Sequence, residues 1–431
     1  MIHLVTFLIL AIVICWCMQS APRNFSAKRT LNIPFLKGTA QAGFQNESSS
    51  FPKSDWENYV KTVHKCISSP NHLSLSVLRA DLIRLKHMQG NCYRFSIEWA
   101  RVSPSFYDFD MEYYINVCAI LKDLNLRPII TLFHFVLPPW ARNVWTNDQP
   151  WFVQFAKKVI TSLASFNPIW ITLNEPFLYA LHGYITGSRP PFKKKPSLGL
   201  RVLKNMLVNH SEIYRFAKHQ IPDCLVGIAK NFMPVHADYM FNPIEQALKY
   251  QFSNWFNTSF YNFLNTGEIT MWLLGSRVKH NTNTFPVCDF VGVNHYTEMT
   301  FTTGIANPIN VELRPPVLSY GYAYTKAGWY VTPQSWFETL KGICSKVDLP
   351  IIVTECGVSQ LENQQITRKV AMENILNTFK LFPQIQGVLV WTLIDNIEWE
   401  SGNEVKFGIF NLEREKTEIY KPVKRFFKSK T

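Results

Sequence analysis

The chain has 431 residues, of which 47% are hydrophobic and 14% are aromatic, enough for a large core or for a barrel with long loop insertions. The formal net charge is +13, and many of the basic residues occur in short runs such as residues 193–195. Because no basic motif is interleaved with stacking aromatic residues, this composition argues against a nucleic-acid-binding module and indicates a solvated or weakly membrane-attracted surface.

The first 20 residues form a separate apolar unit, since residues 4–18 are almost purely hydrophobic. That length matches a signal-peptide core and is short for a membrane span. No Lys or Arg precedes the segment, so a cleaved signal peptide is favoured while an uncleaved membrane anchor stays open. We therefore expect residues 1–20 to lie outside the fold, and the protein to be in the secretory pathway, either extracellular or membrane-anchored.

From about residue 31, short apolar runs alternate with longer segments of helical periodicity, the pattern of β/α repetition. Helices are predicted at 73–88, 200–219 and 371–381. With no linker-like stretch, residues 31–431 are predicted to form one α/β domain, a (β/α)₈ TIM barrel. The long segment 301–327 is predicted to be a functional loop after the sixth strand. Strands are predicted at 36–43, 92–99, 127–135, 169–176, 225–232, 289–296, 350–357 and 387–395.

The cysteines predict buried thiols. Cys15 and Cys17 lie in the amino-terminal segment, and the remaining cysteines are odd in number and contain no C-x-x-C pair. Neither a disulfide framework nor a zinc site is indicated.

Two of the predicted strands end in a carboxylate. Glu175 lies near the end of the segment IWITLNEP, and Glu355 lies near the end of PIIVTEC. Both are at the carboxyl ends of strands, where such a barrel carries its catalytic residues. A single strand-end Glu is more often structural or solvated than catalytic. Strands four and seven face each other across the barrel mouth, however, so the two carboxylates can flank one glycosidic bond.

The environments of the two carboxylates predict their roles. A nucleophile must be ionised, and Arg94 and Tyr296 at neighbouring strand ends are candidates to stabilise its charge. The acid must stay protonated, which requires partial burial and the field of the other carboxylate. Retaining hydrolysis requires the two groups to lie about 5–5.5 Å apart.

Seven segments, in order along the chain, resemble the family 1 β-glycosidases, a group that includes β-glucosidases, lactase-type enzymes and the klotho proteins. They are FLKGTAQAGFQNE (35–47), YRFSIEWARVSP (93–104), TLFHFVLPPW (131–140), TLNEP (172–176), DFVGVNHYT (289–297), VTECG (353–357) and WTLIDNIEW (391–399). Each segment alone is a weak match, but their order and barrel spacing make the resemblance specific. It implies a β-glycosidase that needs neither metal nor cofactor.

The resemblance also implies roles for individual residues. Glu175 would be the general acid/base, Glu355 the nucleophile, and Asn174 the partner of the sugar 2-hydroxyl. Trp391 would stack under the sugar ring, and Trp329 would line the aglycone side. Other substrate contacts would come from Gln45, His134, Tyr296, Glu398 and Trp399, with Arg94 and Asn294 in support. On position alone, His134, Trp391 and Trp399 would be ordinary core residues.

Two departures from the family pattern stand out. Cys356 follows the nucleophile where the family usually has Asn, and Phe135 and Val136 follow His134 where it usually has Trp-Asp. These differences concern efficiency and substrate preference rather than the class of reaction. A carboxylate at Glu398, where members acting on 6-phosphorylated sugars have Ser, would repel a phosphate and predicts an unphosphorylated substrate.

Three functions remain open from the sequence. The favoured one is a retaining β-glycosidase acting on a small-molecule β-glycoside or oligosaccharide. A transglycosylase would use the same two carboxylates with a sugar or alcohol as acceptor. A klotho-like binding protein is less favoured, because such receptors have lost one or both carboxylates and this chain keeps both.

Overall fold

The computed structural model describes residues 30–47, 53–57, 59–60, 69–303, 310–312, 323–362 and 366–429, and these fold around a closed barrel. The predicted leader, residues 1–20, lies outside the described residues, as does most of the predicted loop 301–327. Eight strands, all parallel to their neighbours, close in the order β1-β8-β7-β6-β5-β4-β3-β2. They are β1 (Leu36–Ala40), β2 (Cys92–Ser96), β3 (Arg127–Phe133), β4 (Ile169–Asn174), β5 (Leu225–Asn231), β6 (Phe290–Asn294), β7 (Ile351–Cys356) and β8 (Ile385–Trp391).

The predicted (β/α)₈ barrel is confirmed, and each predicted strand corresponds to one barrel strand. The prediction ran every strand one to four residues too far at its carboxyl end. The physical reason is visible in β4 and β7, whose pairing registers shift near Asn174 and Glu355. At this edge the backbone leaves the regular ladder to aim polar side chains into the barrel mouth.

Helices cover the outside of the barrel, and the three predicted helices are present. The helix Pro196–Gln220 starts four residues earlier than predicted, because Pro at the first helical position suits an N-terminus. The main helices are Leu75–His87, Glu112–Asp123, Trp151–Leu163, Pro196–Gln220, Pro243–Ser253, Ser259–Thr266, Pro333–Lys346, Arg368–Phe379 and Tyr420–Lys428. Between β5 and β6 lies an antiparallel hairpin of two strands, Glu268–Leu273 and Ser276–Asn281.

The core has two layers. Inside the barrel, side chains such as Ile129, Ile171 and Phe290 form one cluster, while a larger cluster fills the space between strands and helices. The interior is therefore packed below the mouth, and only its upper end is open to a ligand.

The six cysteines in the described part of the chain are free thiols, five of them buried. Within the described residues, no helix is both long and apolar enough to cross a bilayer.

Candidate active site

The carboxyl ends of β4 and β7 bring two glutamates to one cavity. Glu175 and Glu355 both line a cavity of about 230 Å³ in the barrel mouth. Their residues are only 6% and 4% exposed, so the charge on each carboxyl is poorly screened by water. The charge of Glu355 therefore acts on the ionisation of Glu175.

The backbone at Glu175 is unusual. Its φ of 45° and ψ of 52° place it in the left-handed region, which costs a residue with a Cβ roughly 1–2 kcal/mol. Its N–H donates to the carbonyl of Ala229 on β5 at 2.7 Å, and Pro176 begins a short helix directly after it. This turn ends the strand abruptly and holds the carboxyl in the cavity.

Glu355 is surrounded by donors. Arg94 Nη1 donates to Glu355 Oε1 at 2.7 Å, and the Tyr296 hydroxyl donates to Glu355 Oε2 at 2.9 Å. Burial raises the pKa of Glu355 above its usual range, whereas the Arg94 charge and these hydrogen bonds oppose that rise. Burial and the nearby carboxylates raise the pKa of Tyr296 well above its usual value, so its hydroxyl keeps its proton and remains a donor.

Glu175 has neutral partners instead. Asn294 Nδ2 donates to its Oε1 at 2.8 Å, and Asn231 Nδ2 lies 3.5 Å from the same atom. Burial first, and then the charge of Glu355, raise the pKa of Glu175 to about 7. Of the two carboxyls, Glu175 is thus the one suited to carry a proton near neutral pH.

A buried network joins the two sides. Arg94 Nη2 donates to Asn174 Oδ1 at 2.7 Å, and Asn294 Nδ2 contacts the same oxygen at 3.2 Å. With Oδ1 accepting, Asn174 Nδ2 must donate to His134 Nε2, 3.1 Å away. The pKa of His134 is lowered well below its usual value by burial and by Arg94, so the ring is neutral and its proton is on Nδ1. Among the described residues that N–H has no partner.

Nine of the twelve residues singled out in the sequence line the cavity. Trp391 donates from Nε1 to Glu398 Oε1 at 3.2 Å, and burial raises the pKa of Glu398 to about 8. The rings of Tyr296 and Trp329 lie 5.2 Å apart on one wall. The nine are His134, Asn174, Glu175, Tyr296, Trp329, Glu355, Trp391, Glu398 and Trp399.

The other three lie behind the cavity wall. Arg94 and Asn294, which were predicted to act in support, hydrogen-bond Glu355 and Glu175 respectively. Gln45, expected to contact substrate, is fully buried, and its Nε2 donates to the backbone carbonyl of Ile397 at 2.6 Å. Its Oε1 has no partner within the described part of the chain. It therefore supports the loop that carries Glu398.

The comparisons with known proteins agree with this geometry. The family model described as glycosyl hydrolase family 1 matches residues 27–429. The chain belongs to glycosyl hydrolase family 1.

A 1,4-beta-D-glucan glucohydrolase of Thermotoga neapolitana is 24% identical over 417 residues, covering 87% of this chain and 96% of that protein. Beta-glucosidase 12 of Oryza sativa subsp. indica is also 24% identical, covering 94% of this chain and 93% of its own. The crystal structure of a beta-glucosidase from Exiguobacterium marinum superposes with a TM-score of 0.79 at 23% identity, over 94% of this chain and 100% of that one. Membership of the family makes the chain an O-glycosyl hydrolase.

The two departures from the usual family 1 pattern have clear structural settings. Cys356 is fully buried, with its thiol 3.6 Å from the Leu389 carbonyl, and burial raises its pKa. It is therefore an inert core thiol and cannot compete with Glu355 as a nucleophile. Phe135 lines the cavity and packs edge-on against Trp399, with ring centroids 5.5 Å apart. Phe135 therefore gives this part of the cavity wall an apolar face.

Some residues of this family 1 site were missed in the sequence. Arg189, in the loop after β4, donates from Nε to Glu400 Oε1 at 2.8 Å, and both line the cavity. Their strands stand opposite each other in the barrel, so this ion pair crosses the mouth. No local sequence pattern identifies an ion pair whose two residues are 211 positions apart. Asn231 was within reach of sequence reasoning, because it ends β5 just as Asn174 ends β4.

Proposed function

We propose that the chain is a retaining β-glycosidase that hydrolyses unphosphorylated β-linked glycosides, with Glu355 as nucleophile and Glu175 as general acid and base. The observation that carries the proposal is the contrast between the two carboxyls of one cavity. Glu355 lies against a guanidinium, whereas Glu175 has amide donors and a pKa raised to about 7. A carboxyl held beside a cation suits the nucleophile, and a carboxyl that keeps its proton near neutral pH suits the general acid.

In the first step a Glu355 oxygen attacks the anomeric carbon while Glu175 gives its proton to the glycosidic oxygen. The bond between that carbon and oxygen breaks, the aglycone leaves with the proton, and the sugar remains as an ester of Glu355. Since esterification removes the Glu355 charge that helped to raise the pKa of Glu175, the pKa of Glu175 falls at this point.

In the second step Glu175, now a carboxylate, takes a proton from a water molecule. That water attacks the anomeric carbon from the aglycone side and releases Glu355. Two displacements at one carbon retain its configuration. Because the pKa of Glu175 is high before the first step and falls after it, Glu175 can act first as acid and then as base.

The remaining cavity residues fit a sugar ring. Trp391 offers an apolar face, and Glu398 offers a carboxyl to hydroxyl groups. Asn174 lines the cavity and suits a 2-hydroxyl. His134 also lines it, and its Nδ1–H, which has no partner among the described residues, suits another hydroxyl. The apolar segment of residues 1–20 supports a secretory location for this activity.

The klotho-like alternative is not favoured, because both carboxyls are present and hydrogen-bonded within one cavity. The transglycosylase alternative shares the whole first step. Product analysis with an added alcohol acceptor separates them: a hydrolase releases mainly free sugar, whereas a transglycosylase gives mainly the alkyl glycoside.

The deciding experiment assays aryl β-glycosides with wild type, Glu175→Gln and Glu355→Gln. Both variants are expected to lose activity by roughly three orders of magnitude or more on substrates with poor leaving groups. Azide, a small nucleophile that needs no base, is expected to restore turnover of activated substrates in Glu175→Gln and to give the β-glycosyl azide. Glu355→Gln is not expected to respond. Equal activity in all three proteins would end the proposal.

A further inference from the structure

A lysine with no ion-pair partner in the described part of the chain lies directly behind the active site. Lys230 is on β5, one residue before Asn231, and its side chain is completely buried. Its Nζ forms no ion pair with any residue that the structure describes; it donates to the backbone carbonyl of Asn231. Burying an unpaired ammonium is costly, so its surroundings must compensate.

That compensation comes from three aromatic rings. Nζ lies 3.8 Å from the ring centroid of Phe256, 4.6 Å from that of Phe232 and 4.9 Å from that of Phe177. The face of an aromatic ring is negative and attracts a cation at these distances, more strongly where water is excluded. We call the three phenylalanines the aromatic box.

The aromatic box is built from the segments that hold Glu175. Phe177 stands two residues after Glu175, in the short helix that the left-handed turn starts. Phe232 follows Asn231, and its N–H donates at 2.9 Å to the carbonyl of Asn294, whose side chain binds Glu175. Lys230 therefore contacts the chain on both sides of the Glu175 carboxyl.

We propose that Lys230 is a positioning residue for the general acid and base: its ammonium, held in the aromatic box, fixes the turn at Glu175 and places a positive charge behind that carboxyl. This inference rests on the function proposed above. The charge would favour the ionised form of Glu175, the form required when water attacks in the second step.

Other charges also act on Glu175, and the effect of Lys230 adds to theirs. Glu355 on β7 raises its pKa, while Arg189 from the loop after β4 lowers it. Arg94 binds the neighbouring Asn174, and Tyr296 keeps its proton. Burial lowers the pKa of Lys230 well below its usual value. The charge of Glu175, the ring faces and the Asn231 carbonyl oppose that fall by favouring the ammonium form.

The test is Lys230→Met. Methionine fills the aromatic box without a charge, and replacing a buried charge by an apolar side chain is often neutral or stabilising, so thermal denaturation should show a folded protein. We expect the alkaline limb of the kcat/KM profile to move to higher pH, because the carboxylate form of Glu175 has lost a favourable charge. We also expect the acid limb of the kcat profile for activated phenols, whose turnover is limited by the second step, to move to higher pH, because water attack needs the carboxylate form of Glu175. At about pH 5 kcat should then fall roughly tenfold, while kcat/KM at about pH 7 changes less than about threefold.

A second variant, Phe256→Leu, keeps the charge and weakens one wall of the aromatic box. It should shift both quantities in the same direction by a smaller amount, while Lys218→Met, at a lysine paired with Asp289, should shift neither. An unchanged alkaline limb, or an equal loss of kcat and kcat/KM at all pH values, would overturn the role of Lys230 even in an active enzyme. If wild type cleaves no β-glycoside at all, the proposed function fails instead.

Discussion

Arg94 binds Glu355 at 2.7 Å from the fully buried interior of the barrel. The same guanidinium donates to the side chain of Asn174, the residue before Glu175. Because it is shielded from water, its charge acts on Glu355 with little screening. It is the main group that lowers the pKa of Glu355 against the effect of burial.

Replacing Arg94 by Met should therefore impair all β-glycoside substrates alike. We expect kcat/KM to fall at least about 100-fold, since the nucleophile loses its cation and Asn174 loses its donor. The pKa of Glu355 should rise further, moving the acid limb of the kcat/KM profile to higher pH. The matched control is Arg79→Met, which removes only the exposed pair with Asp123. An acid limb that does not move in Arg94→Met would contradict the assignment of Glu355 as nucleophile.

Activity should fall as pH rises through about 7, because Glu175 loses the proton that it must donate and its pKa lies near that value. The measurement is kcat/KM against pH with a substrate whose leaving group needs protonation. In Glu175→Gln, assayed with an activated substrate, this alkaline limb should be absent. If the alkaline limb lies at the same pH in both proteins, it belongs to a group other than Glu175.

Discrimination against 6-phosphorylated substrates should depend on pH. Burial raises the pKa of Glu398 to about 8, so this carboxyl is largely neutral at pH 7 and charged above pH 8. Repulsion of a phosphate, and hence the preference for the plain glycoside, should increase across that range. The ratio of the two kcat/KM values at pH 6 and pH 9 tests this. Glu398→Ser is the control, in which the ratio should change little with pH.

Cys356 should prove dispensable for the chemistry. Its thiol is buried and its pKa is raised, so we expect Cys356→Ser to keep kcat/KM within about threefold of wild type. A thiol-directed alkylating reagent should not inactivate the native protein. Rapid inactivation that Cys356→Ser prevents would show instead that the thiol is reachable and reactive.

The barrel could be predicted because the sequence signal of each strand lies within the strand itself. A strand buried on both faces is an apolar, β-branched run, and the polar residue that ends it marks the catalytic edge. Glu175 and Glu355 were found by that rule, and their shared cavity follows from the closure of β4 and β7 into one barrel. The strand ends were less predictable, since the prediction extended β8 to residue 395 whereas the ladder ends at Trp391.

The rest depended on contacts between distant parts of the chain. The sequence predicts Gln45 as a substrate contact, but no local pattern indicates that its Nε2 donates to the distant Ile397 carbonyl. The Arg189–Glu400 pair and the aromatic box of Lys230 join segments that only the folded barrel brings together. Lysine at a strand end looks like a solvated charge, and only its three ring contacts show otherwise.

The left-handed backbone at Glu175 has a consequence for thermal resistance. Glycine adopts that conformation without a steric penalty. Replacing Glu175 by glycine would also remove a carboxyl group that is buried away from water. A Glu175→Gly enzyme should then melt at a higher temperature than the natural protein while turning over almost nothing. At this one position, thermal stability and catalytic activity would therefore require different residues.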